Sequence, residues 1–590
     1  MRRLPTSISA MRALFRIFLA ALPLGALLLG SVSAQIIADI DNISERGLYE
    51  RRFSLPQDVD ATIDAVGSGS IEKDALFAYP WILDLRTRRV VWTFDTARAQ
   101  KTKKQDNLSL HSQVHLPAGD YALYFSALGG AFPVEKSIKI LKLFNLGKVS
   151  FSGKNMRWDE VGEPREWRVS VRAAEGSPPV SVGEVPADLD LGAILRFHRL
   201  TDESDRRALL EVSRPVQLRV LAIGEYVADA QGFADGAWIL DCSTFERVWE
   251  MTLLNTAEAG GARKNRMFDG TIALAPGRYL ATCVSDDSHS YENWNSQPPY
   301  DPESWGLTIF RDPANPSAVA VTIDPLEKNL IARIDRVGDS EFRTAEFVLK
   351  HEARLGIRAF GEWSESSDRQ LDFGWIEDAR TLEQVWTMES NRGAYASGDS
   401  RNRIVEESLR LPPGFYRVAY VSDNAHSFAG WHNRGPFEPS AWGIRVYALD
   451  PDFQANWVDA SPSLEDLPTL IRLAPMGDDV DKSVRFRTDS PTRVRIVSLG
   501  ESADHKMVDY GWLVNEDRNR TVWEMSFDDT KPAGGAKKNR RADVTLTLDP
   551  GTYSLHYKSD GSHSFEDWND KPPANAYYWG VTLLELSENR

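Results

Sequence analysis

The chain has 590 residues, 42% hydrophobic and 10% aromatic, which is enough apolar matter for several cores and excludes wholesale disorder. Its formal net charge of −16 repels phosphate backbones and argues against nucleic acid as a partner. Two cysteines exclude a disulfide scaffold and a cysteine-rich zinc array.

Residues 1–34 read as a cleaved signal peptide. Arg12 and Arg16 precede an apolar run from Ile17 to Leu29, and Ser31-Val32-Ser33-Ala34 offer the small residues of a cleavage site. Export to a periplasm or the extracellular space is the expectation. No later apolar run is long enough to cross a bilayer, so no transmembrane segment is expected in the mature chain.

Internal repetition dominates the chain beyond the leader. Trp238, Trp375 and Trp512 recur at an interval of 137 residues. Each begins the same series: Trp249, Trp386 and Trp523; then Pro276-Gly277, Pro413-Gly414 and Pro550-Gly551; then His289, His426 and His563; then Trp294, Trp431 and Trp568; then Trp305-Gly306, Trp442-Gly443 and Trp579-Gly580. An eroded copy precedes them. It keeps Trp81, Trp92 and Ala118-Gly119-Asp120-Tyr121 but lacks the histidine and both later tryptophans. A period of this length suits an independent domain rather than a solenoid unit. The expected organisation is a degenerate repeat over 35–146, an insertion or added hairpin over 147–179, and repeats over 180–312, 317–449 and 453–590, strung like beads on Pro-containing linkers.

Within a copy, short β-rich runs alternate with turn signals. Val216 to Leu221 alternates, Trp238 to Asp241 and Arg247 to Met251 flank a polar connection, and Thr271 to Leu274 and Tyr279 to Thr282 flank Pro276-Gly277. Proline supplies a fixed φ and glycine a positive one for a tight turn. No long helical period is present. The predicted class is all-β, with each copy a two-sheet, jelly-roll-like sandwich. The order of these signals, with an aspartate-bearing middle strand and a Pro-Gly-x-Tyr hairpin, resembles the pre-peptidase C-terminal and Golgi-dynamics jelly-roll modules. That resemblance implies an accessory, non-catalytic module of an exported protein and transfers no functional residue.

The distinctive segment runs from Val284 to Asn295, with counterparts from Val421 and Lys558. An aromatic face with planar polar groups suits a glycan or another repetitive polymer, gripped with avidity by three copies. The candidate ligand-binding residues are Arg266, Asp286, His289, Tyr291, Trp294 and Asn295 in the second repeat. The third offers Arg403, Asp423, His426, Phe428 and Trp431, and the fourth Arg540, Asp560, His563, Phe565, Trp568 and Asn569. The same residues could instead only hold the loop in shape. Calcium is a weaker candidate, with Asp286, Asp287, Asp269, Glu225 and Asp235 as oxygen donors. No catalytic motif is present, and the expectation is a non-catalytic binding or envelope-structural protein. The alternative is an exported hydrolase using Ser288, His289 and Asp286. Cys242 and Cys283 could form a local disulfide if their strands are neighbours, and two buried thiols are the alternative.

Overall fold

Runs that alternate apolar and polar residues become strands with one face buried, and that pattern governs the chain. The computed structural model describes residues 35–103, 106–129, 162–186, 189, 192–323, 329–379, 384–428, 430–459, 469–533, 536–565, 567–570, 572–573 and 576–586. The proposed leader and the first half of 147–179 lie outside them. The protein is all-β: among the described residues 56% are strand and none lies in a helix of seven or more residues.

The second repeat gives the pattern. One sheet runs in the order Ala193–Phe197, Gly306–Phe310, Val216–Val227, Asn265–Leu274, Ala257–Glu258. The other runs Arg247–Glu250, Gly236–Asp241, Gly277–Val284, Asp205–Val212, Val319–Ile323. The counterparts of Val216–Val227 in the other repeats are Val59–Ser70, Ala353–Ser364 and Thr492–Ala503, each twelve residues long. In the first and third repeats this strand also pairs with the Trp81 or Trp375 strand, joining the two sheets toward a barrel.

The Pro-Gly-x-Tyr hairpins work differently from the expectation. Gly277, Gly414 and Gly551 are not among the positive-φ residues. At Gly277 and Gly414 the lack of a side chain makes room for the following tyrosine ring, whose edge lies 3.3 Å and 2.9 Å from where a Cβ would sit, whereas at Gly551 the close neighbour is Asp517 at 3.0 Å. Each tyrosine folds back and donates to the carbonyl four residues earlier: Tyr121 to Pro117, Tyr279 to Ala275, Tyr416 to Pro412 and Tyr553 to Asp549, at 2.7–3.0 Å.

Several boundaries move. The described part of 147–179 is no insertion: Arg168–Ala173 pairs with Ile36–Ile40 and Val59–Ser70 and closes the first repeat. Trp167 stands just before that strand, after the 3₁₀ turn Pro164–Glu166, where Trp305 and Trp442 follow Pro302–Ser304 and Pro439–Ala441. The first repeat therefore keeps one late tryptophan, displaced by a longer preceding segment. The linkers are sewn to the repeat before them. Val319–Ile323 pairs with Asp205–Val212, and Val458–Asp459 with Phe342–Leu349. Each covers an edge strand whose backbone groups would otherwise lie open.

The repeats are also not separate beads. Strand ladders stay within a repeat, but the Gly236–Asp241 strand is buried on both faces. Ile239 packs inside the second repeat, while Trp238, Leu240 and Phe245 join the core of the third. Cys242 lies on that outer side and Cys283 on the inner side of the same sheet, so both are buried free thiols and no disulfide forms.

Candidate functional site

The decorated loop turns inward. In each of the last three repeats an asparagine that starts a long strand (Asn265, Asn402 or Asn539) is fully buried beside the loop histidine, also fully buried. Asn265 Nδ2 donates to Gly260 O and Gln297 O, both at 2.9 Å; Asn402 Nδ2 donates to Ser397 O and Arg434 O. With both amide protons spent on carbonyls, Oδ1 must accept, and the imidazole Nε2–H donates to it at 2.7 Å (His289), 2.6 Å (His426) and 2.6 Å (His563). Nδ1 is then the bare nitrogen, and that of His426 accepts from the His432 amide at 3.3 Å. Burial pushes the imidazoles down, to about 3 for His289 and about 4 for the other two. All three hold positive φ, 56–58°, a conformation that the surrounding bonds impose on a non-glycine residue.

Two tryptophans close the cage edge to face. His289 lies 5.1 Å from Trp294 and 5.5 Å from Trp305, centroid to centroid, and the two indoles are 5.1 Å apart. The third and fourth repeats repeat this geometry with Trp431 and Trp442, and with Trp568 and Trp579. The inner indole N–H of Trp305 and Trp442 donates at 3.0 Å to a buried aspartate, Asp235 or Asp372. The other oxygen of that aspartate accepts the backbone N–H of Asp286 or Asp423 at 2.8 Å. Asp509 receives the Asp560 amide at 2.9 Å in the same way, while Trp579 makes no indole hydrogen bond of ordinary geometry. The first repeat has alanine, Ala78, in place of the aspartate and no histidine. There the Trp167 indole donates to Asn107 Oδ1 at 3.0 Å, taking the histidine's place.

A third acid stands beside each pair. Glu362, Asp372 and Asp423 bring carboxylate oxygens within 4.8 Å of one another, as do Glu501, Asp509 and Asp560. Burial, with neighbouring negative charge, lifts Glu225 and Glu362 to about 7, Asp509 to about 8, and Asp235 and Asp372 well above the ordinary range. These residues are the ones that could hold a cation, together with the Glu362, His426, His432 group. A fixed cation already stands at each: Lys264 on Glu225 at 3.0 Å, Arg401 on Glu362 at 2.8 Å and Lys538 on Glu501 at 2.9 Å. Of the residues predicted for calcium, Asp269 is bonded to Arg219 and Asp287 pairs with Arg434 at 3.1 Å, away from the acid group.

The remaining candidates scatter. Arg266 and Arg540 bond Thr256 and Thr530, whereas Arg403 does not bond the equivalent Gly393. Tyr291 packs under Arg199, and Phe428, 38% exposed, under Arg336. Asn295 and Asn569 are exposed and accept from Lys264 and Lys538. Trp294 is buried, and Trp431, Trp568 and Phe565 are half-buried. The serine of the hydrolase alternative is not set against its histidine: Ser288 Oγ accepts from Arg434 at 2.9 Å, and His289 Nε2 is held by asparagine. The residues missed from sequence were the asparagines Asn265, Asn402 and Asn539. Their recurrence at the 137-residue interval was the available signal.

No protein-family model matches the chain, and no curated protein matches it.

Proposed function

We propose that the protein is an exported, non-catalytic binding or structural component of a cell envelope, built from four tandem β-sandwich domains behind a cleaved leader. The observation that carries this reading is the use of the recurring His, Asn, Trp and Asp side chains on one another. A neutral imidazole whose N–H is committed to asparagine is a poor general base, and it lies 0% exposed in all three cages. The cages stiffen the loops. The loops then offer an exposed outer rim, including Asn295, Phe428 and Asn569, repeated along one chain. Repetition favours a glycan or another envelope polymer through avidity rather than through any single tight contact.

The test is a panel of glycans and envelope polymers presented to the full mature chain, with and without calcium. Capture that weakens on Phe428→Ala supports the reading. Turnover of any polymer that disappears in His426→Ala would instead establish the hydrolase.

A further inference from the structure

A cavity of about 340 Å³ lies at the junction of the second and third repeats. Its walls include Trp238, Phe233 and Phe437, and its mouth lies near Leu253 and Arg392, both well exposed. Two buried donors on its lining are unsatisfied: Arg403 Nε and Trp238 Nε1. Arg403 is 3% exposed and Trp238 5%.

Comparison among the repeats explains both. Arg266 and Arg540 spend Nε and Nη2 on a threonine hydroxyl and carbonyl, at 2.5–3.3 Å. In the third repeat that threonine is Gly393, at φ 68°, and it lines the cavity instead of bonding the guanidinium. The acid paired with Arg403 is Glu365 at 4.0 Å, which is already bonded to Arg392 at 2.5 Å. At the previous junction Trp81 gives its indole N–H to Tyr300 O at 2.7 Å. Trp238 meets the equivalent Phe437 ring, 5.9 Å away, but finds no acceptor. A cationic donor and a neutral donor, each without an acceptor and each on a residue that lines a partly aromatic hollow, are the complement of a monoanion on an apolar body.

We propose that this cavity binds a carboxylate carried on a ring-sized apolar body, with the carboxylate oxygens accepting from Arg403 Nε and Trp238 Nε1. The site is distinct from the loop rims, and it fills or stays empty independently of any polymer binding there. The carboxylate arrives as a free small aromatic acid.

Calorimetric titration of the full mature chain with benzoate, with benzamide as the neutral control, tests the proposal. Benzoate is expected to bind at least about tenfold more tightly than benzamide, and Arg403→Met to weaken it by at least about tenfold. Trp238→Phe keeps the ring, removes the donor and weakens benzoate in the same direction. Arg403→Met leaves the unfolding temperature unchanged or raises it, because it removes a buried charge whose paired acid stands 4.0 Å away and whose Nε has no acceptor, whereas Arg266→Met lowers it. Glucuronate, which carries the same carboxylate on a hydroxylated ring, is expected to bind more weakly than benzoate, and equal or tighter binding overturns the apolar part of the proposal. Benzoate no tighter than benzamide, or affinity unchanged in both cavity variants, overturns the proposal. A negative polymer panel with positive benzoate binding would sink the envelope-polymer reading and leave this one standing.

Discussion

Trp294 shows how completely the loop has been taken into the fold. At 6% exposure, wedged between His289 and Trp305, it has no free face for a sugar. Trp294→Ala is expected to cost about 3–5 kcal/mol in urea unfolding, against under about 1 kcal/mol for Phe428→Ala, which truncates a partly solvated ring. The histidines carry a second prediction. Held near pKa 3–4, the imidazoles of His289, His426 and His563 stay neutral at pH 5 by NMR. Exposed His115, raised by its bond to Asp60, titrates above the ordinary value. Protonation of the three buried rings at pH 6 would contradict the cage. The histidine and both tryptophans were legible from their spacing. The buried state was not, because one-dimensional spacing does not say whether a loop folds over its own sandwich.

At the scale of loop and strand, two sets of titrating groups oppose each other. The cage imidazoles have folded pKa values far below the ordinary value of about 6.5, so their contribution to stability is fully present above that pH and is lost as pH falls toward 4. The acids have the opposite sign. Unfolded carboxylates ionise near pH 4, while Glu225 and Glu362 keep a proton to about 7 and Asp509 to about 8. Their contribution is present at low pH and is lost as pH rises through 7–8. Above pH 6.5 only the acids act, so the unfolding temperature is expected to fall between pH 6.5 and 8.5. Asp509→Asn should flatten part of that limb, and scanning calorimetry across the range checks both. The strand pattern explains why the sheets were predictable and the closing strand of the first repeat was not. Arg168–Ala173 alternates like its counterparts, but Trp167 follows Trp81 by 86 residues where the later repeats use 67, so it falls outside the common spacing.

Across the whole molecule, the loop of one repeat docks on the outer sheet face of the repeat before. Tyr300 and Asp301 meet Trp81 and Arg88, and Phe437 and Glu438 meet Trp238 and Arg207. Glu438 sits among Arg207, Arg358 and Arg445 at 2.5–2.7 Å, which hold its carboxyl far below the usual range. Glu438→Gln removes the anion shared by three guanidiniums, each of which keeps a second acid, Asp205, Glu406 or Asp335. It is expected to cost about 1–3 kcal/mol at that junction and to separate the melting of the second and third repeats in calorimetry. A single unshifted transition would show that the junction contributes little. Gly232 serves the same seam: a Cβ there would lie 2.7 Å from the Tyr395 ring. By itself the sequence determined the all-β class, the period, the hairpins and the recurring polar set, because strand alternation and turn chemistry are local. Only the tertiary structure decided that the repeats fuse, that the linkers sew back onto the preceding edge, that Cys242 and Cys283 stay apart, and that the histidines are walled in. The first two outcomes depend on which face or edge of a strand meets a neighbour more than a hundred residues away, and the last two on which side of its own sheet or sandwich each group falls. The one local trace was the unbroken apolar run Ala237-Trp238-Ile239-Leu240, in which alternation fails because both faces are covered.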